Sequence, residues 1–97
     1  MITLTAIIRC KPGSEDRVRA ALVEVGAFVA ANEPGTISFY VTEGETGGVF
    51  ATHERFADRE AMDAHNAGAG SKGFFAATDG LLDGVDVVIG REISSRD

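Results

Sequence analysis

The stretch "ATHERFADREAMDAH", from Ala51 to His65, holds both histidines of the chain, His53 and His65, with Glu54 beside the first. An imidazole and a carboxylate in contact perturb one another's proton affinity, and histidine titrates near neutrality. Such a pair, enclosed in an apolar pocket, can take a proton from a weakly acidic substrate. The same contact can also be a structural ion pair that holds a helix on a sheet, because structural pairs perturb proton affinities as well. Both readings require the backbone to turn Glu54 and His65 toward each other.

The elements around them decide that. "ITLTAIIRC" (2–10) is rich in Ile and Thr and reads as a strand. In the following turn, "KPGSED", Ser14 is the expected helix cap, and Glu15 and Asp16 suit the positive helix end. Val18, Ala21, Leu22, Val25, Phe28 and Val29 recur at helical spacing, and "NEPG" (32–35) stops that helix. "TISFYVTE" (36–43) and "VFATHERF" (49–56) flank the turn "GETGG" and read as a hairpin. Asp58 is the expected cap of a short helix, "REAMDAHNA". "GAGSKG" (68–73) then interrupts, "FFAATDGLL" returns to helical spacing, and "GVDVVIGREI" (84–93) closes as a strand.

The order β-α-β-β-α-(α)-β is that of the ferredoxin-like α+β fold, an antiparallel sheet with helices on one face. A single domain spanning 1–97 is expected. The other sheet face is left bare, for solvent or a partner to cover.

Strand alternation then sorts the polar groups. Phe50, Thr52, Glu54 and Phe56 share one face of the 49–56 strand, and Val49, Ala51, His53 and Arg55 share the other. The two Phe residues mark the first face as the helix-covered one. Glu54 therefore points inward and His53 outward, so the two histidines are not co-ligands of one metal within a subunit. His65 follows Ala61 and Met62 at i+4 and i+3, on the apolar side of its helix, and is expected to meet Glu54 between helix and sheet. His53 and Arg55 read as surface or interface residues, as does Tyr40, which alternates away from Phe39.

Composition excludes several classes. The net charge is −6 with no Lys/Arg cluster, which argues against nucleic acid and against an anionic membrane surface. No apolar run approaches the length of a membrane span. The glycines at 68, 70 and 73 do not form a phosphate loop; they read as a flexible joint between two helices, with a pocket flap as the alternative. Cys10, the single cysteine, cannot form an internal disulfide. With no signal-peptide pattern at the N-terminus, a cytoplasmic protein is expected.

The ordered set "IIRCKPGSEDRVRAAL", "EPGTISFYV", "THERFADREAMDAH" and "GFFAATDGLL" resembles the antibiotic biosynthesis monooxygenase (ABM) domain family over nearly the whole chain. The resemblance implies a dimeric α+β barrel, a homodimer in which two such sheets pack face to face. It implies a cofactor-independent, metal-free monooxygenase that oxidises a small aromatic phenol or quinol with O2. In that role His65 would accept the proton and Glu54 orient it, while Thr52, Phe56, Met62, Phe74 and Phe75 would line the substrate pocket. Oxygenase relatives often carry tryptophan where Phe56 stands, and haem-degrading relatives carry a histidine where Phe75 stands. An isomerase or other proton-transfer enzyme, and a non-enzymatic ligand-binding dimer, are the alternatives.

Overall fold

A computed structural model describes residues 1–96. Its elements run β1 (Ile2–Cys10), α1 (Glu15–Asn32), β2 (Thr36–Glu43), β3 (Val49–Phe56), α2 (Arg59–Ala67), α3 (Ala69–Ala77) and β4 (Leu82–Arg91). The strands form one antiparallel sheet in the order β2-β3-β1-β4, the expected ferredoxin-like topology. The β2–β3 turn closes through Gly47 and Gly48, both at positive φ, where a side chain would be strained.

The alternation predicted from sequence sets the core. Leu4, Ala6, Ile8 and Cys10 of β1 and Phe50 and Phe56 of β3 are buried under Val18, Leu22, Val25 and Val29 of α1 and Met62 of α2. Each fully buried side chain of this size stabilises the fold by about 1.5–3 kcal/mol. On the opposite face Tyr40 and His53, cross-strand partners, stack with ring centroids 4.6 Å apart, and Thr42 Oγ1 lies 3.1 Å from His53 Nε2. Arg9 pairs with Asp86, and Arg55 with Glu92.

Three local expectations change. Ser14 does not cap α1 with its side chain; its hydroxyl donates to the carbonyls of Lys11 and Leu81 instead, tying the turn to the start of β4. Asp58 does cap α2, accepting from the Ala61 N–H at 2.8 Å. Only Gly68 joins α2 to α3; the rest of the glycine-rich segment is helix from Ala69, because Gly70 lets α3 press against α1. A Cβ at Gly70 would stand 2.8 Å from Phe28 Cδ1, so close packing overrides the weak helix propensity of glycine. The helix ends at Ala77, and Leu82 is already strand, opposite Cys10.

A second close approach seats α2. A Cβ at Gly35 would lie 2.9 Å from the Ala61 Cβ. Gly35→Ala is expected to destabilise the fold by about 1–3 kcal/mol through overpacking. Ala61→Gly in the same chain should recover part of that loss in chemical denaturation, which distinguishes the contact from a backbone effect.

Candidate active site

Three elements converge on the His65 imidazole. Residue 65 is in the last turn of α2, and its side chain is 5% exposed. Glu54 projects from β3 on the inward phase of the strand, and its side chain is also 5% exposed. Glu33 is the residue that ends α1; its N–H donates to the Val29 carbonyl and its side chain turns back under α2. His65 Nδ1 lies 2.6 Å from Glu33 Oε1, and Nε2 lies 3.1 Å from Glu54 Oε1. The rings of Phe39 and Phe56 flank the imidazole with centroids at 5.7 and 5.3 Å.

Hydroxyl groups hold both carboxylates. Thr36 Oγ1 donates to Glu33 Oε1 at 3.0 Å, and Thr52 Oγ1 donates to Glu54 Oε2 at 2.6 Å. Glu54 Oε1 is different. It is close to Nε2 but off the line of a good hydrogen bond, and it is buried with no well-directed partner among the described residues. Buried oxygens in this state are uncommon, and leaving one unsatisfied costs about 1–3 kcal/mol. Ser71 on α3 adds a hydroxyl 3.5 Å from Nε2, while donating to the His65 carbonyl at 3.0 Å.

Burial is the largest single influence on His65 and favours the neutral ring. The carboxylates of Glu54 and then Glu33 against the ring together outweigh it, so the pKa is raised above 6.5. A group raised in the folded state binds its proton more tightly there than in the unfolded chain. Its contribution to stability is therefore fully present below about pH 6.5 and is lost as pH rises through the folded-state value. Urea denaturation from pH 6 to 9 should show this decline in the wild type, and a flatter profile in His65→Gln.

The imidazole edge and Glu54 open into a cavity of about 260 Å³. Leu4, Ala6 and Ile8 floor it, Leu22 and Val25 of α1 and Phe39 of β2 wall it, and Ser71, Phe74 and Phe75 of α3 cover it. Val85, Val87 and Ile89 of β4 form the rim, where Val87 and Ile89 are about half exposed. No Lys or Arg lines the space.

Thr52, Phe74 and Phe75 thus line the cavity that holds His65 and Glu54, but Phe56 and Met62 do not. Both are buried in the core, Phe56 against the His65 ring, because the inward face of β3 and α2 is wider than the cavity itself. No local pattern marks Glu33 as a partner of His65: "NEPG" reads as a helix stop, and "EPG" enters only the family resemblance. The one available signal was an acidic side chain at the negative end of a helix, where it is electrostatically misplaced. The two carboxylates sit on opposite ring nitrogens, so the trio does not converge on one point as a metal site must. No group of three His, Cys, Asp or Glu among the described residues has a metal-binding arrangement.

A ferredoxin-like sheet with an acid–base cluster and an apolar cavity beneath its helices defines a class of small α+β proteins. The chain belongs within it to the antibiotic biosynthesis monooxygenase family, whose model matches residues 1–77. Rv0793 from Mycobacterium tuberculosis is similar, with a TM-score of 0.88 at 23% identity over 99% of this chain and 98% of that one. PA3566 from Pseudomonas aeruginosa superposes with a TM-score of 0.86 at 20% identity, over 96% and 94% of the two chains. At these identities the likeness establishes the fold alone. No curated protein matches the chain. Among the described residues, no helix is long and apolar enough to cross a membrane.

Proposed function

We propose that the protein is a cofactor-independent monooxygenase that oxidises a small neutral phenol or quinol with O2, using His65 as proton acceptor. The observation that carries this reading is the unsatisfied Glu54 Oε1, buried beside Nε2 at the wall of an apolar cavity. A ligand hydroxyl satisfies that oxygen, and its proton then lies next to the imidazole. Family membership supports the oxygenase class.

Volume and charge narrow the substrate. A cavity of about 150 Å³ holds benzene, and drug-sized ligands occupy about 300–1,000 Å³. At about 260 Å³ the cavity suits one or two rings. A carboxylate at the wall and no lining Lys or Arg disfavour an anionic substrate.

The chemistry needs little from the protein. His65 Nε2 takes the hydroxyl proton, Glu54 steadies the imidazolium, and the apolar walls exclude water. The resulting anion passes an electron to O2. The two radicals join at a ring carbon bearing hydrogen, and the peroxide loses water to leave a carbonyl. One oxygen atom stays with the product and the other departs as water, so a phenol and O2 give a quinone and H2O.

Oxygen uptake with a panel of one- and two-ring phenols and quinols tests this. Stoichiometric O2 consumption with 18O in the product is the expected result. Turnover under anaerobiosis would overturn it and assign a proton-transfer isomerase to the same residues. A cytoplasmic homodimer completes the reading. It is supported by the dimeric habit of the family and by the bare sheet face with Tyr40 and Val88 exposed, and light scattering should give twice the monomer mass.

A further inference from the structure

We propose that Glu33 is a positioning residue that fixes the tautomer and orientation of His65, so that the Nε2 lone pair is presented to the cavity. This rests on the assignment of His65 as proton acceptor for its kinetic consequence, but not for its structural one.

Glu33 cannot act on a substrate directly. It is absent from the cavity wall and opens instead into a separate cleft of about 360 Å³ on the far side of the imidazole, lined with Phe28, Asn32, Gly35 and Ala61. His65 lines both spaces. Any influence of Glu33 on chemistry in the inner cavity therefore passes through the ring. Each ring nitrogen faces a carboxylate that can only accept, but Glu33 Oε1 is hydrogen-bonded to Nδ1 at 2.6 Å, whereas Glu54 Oε1 lies 3.1 Å from Nε2 and off line. The neutral ring therefore places its proton on Nδ1 and leaves the Nε2 lone pair free.

Helix stability does not explain a carboxylate here. Glu33 sits at the negative end of an 18-residue helix whose last turn has no basic residue. The local structure nonetheless holds it rigidly: Thr36 Oγ1 donates to the same Oε1, and the Thr36 N–H donates to the Glu33 carbonyl. The acidic groups facing His65 are Glu33 from the end of α1 and Glu54 from β3. β2 and α3 contribute the neutral Phe39 and Ser71. The two carboxylates divide the work, since Glu54 faces ligand and Glu33 does not.

Long-range 15N–1H correlation spectra of the His65 ring in the wild-type protein at pH 9 test the tautomer without any variant. The Nδ1–H form is expected, and the Nε2–H form would overturn the proposal. In Glu33→Gln the His65 titration should move to lower pH, and Glu33→Asp should restore part of the difference. An unchanged titration in Glu33→Gln would also overturn it. In steady-state kinetics kcat should fall about 10–100-fold in Glu33→Gln, less than the 10²–10⁴ that the general base itself supplies. KM should change little, and the acid limb of the pH–rate profile should move down with the ring titration. Spectra as expected without turnover of any phenol would reject the oxygenase reading and leave the positioning role standing.

Discussion

On the proposed oxygenase role, His65→Gln is expected to lower turnover of a phenolic substrate by about 10²–10⁴-fold, the usual contribution of a positioned general base. Glutamine retains a polar, hydrogen-bonding side chain of similar reach. Its amide N–H can still donate to Glu33, so the contact that seats α2 on the end of α1 has a substitute. What glutamine lacks is a nitrogen that accepts a proton near neutrality. The loss should therefore fall on kcat, with KM changed by much less. The wild type should gain activity as pH rises through the raised pKa of His65, because only the neutral ring has a free lone pair. The variant should lose that limb of the profile. Oxygen uptake from pH 6 to 9, with circular dichroism to establish folding, measures both. A variant retaining more than a tenth of wild-type kcat would remove His65 from the chemistry.

His65→Leu has the largest expected effect on stability. Leucine fits an apolar site, yet it leaves Glu54 facing no positive charge with its side chain 5% exposed. Removing one partner of a buried ion pair destabilises by about 3–5 kcal/mol. A domain of this length has only about 5–15 kcal/mol of stability in total, and such a loss lowers Tm by roughly 12–40 °C. Glu33 contributes less, because at 15% exposure it reaches water. Adding Glu54→Gln to His65→Leu removes the stranded charge and should recover a large part of the loss. The single variant should also regain stability as pH falls, since a protonated Glu54 carries no charge to desolvate. Thermal melts of wild type, both single variants and the double variant at pH 5 and pH 8 complete the cycle. Additive losses, independent of pH, would show that packing alone had been disturbed.

The sheet was legible in the sequence because strand alternation is a strict code. Two Phe residues on one phase of β3 were enough to turn Glu54 inward and His53 outward, and the helical spacing of Ala61, Met62 and His65 brought the imidazole to meet the carboxylate. What stayed hidden depended on contacts between elements distant in the chain. Glu33 and His65 are 32 residues apart, and nothing local marks a helix-ending acid as the partner of a later histidine. Gly70 read as a breaker because propensity is local, whereas the Phe28 ring that makes room for it necessary belongs to another helix. Ser14 matched the pattern of a cap and donates elsewhere, since the Leu81 carbonyl that competes for its hydroxyl lies 67 residues away. Phe56 and Met62 were correctly inward, but an inward direction does not say which side of the imidazole a residue occupies.

The ionisable groups come from α1, β3 and α2, whereas the rim of the cavity is built by Phe75 of α3 with Val87 and Ile89 of β4. The proposed acid–base residues and the residues that shape the opening thus lie on different segments of the chain. Substitutions along the edge strand can widen, narrow or reshape the opening without displacing an acid or a base. If the proposed chemistry holds, selection for a new substrate, natural or in the laboratory, has a set of positions that it can vary while the acid–base cluster is inherited intact.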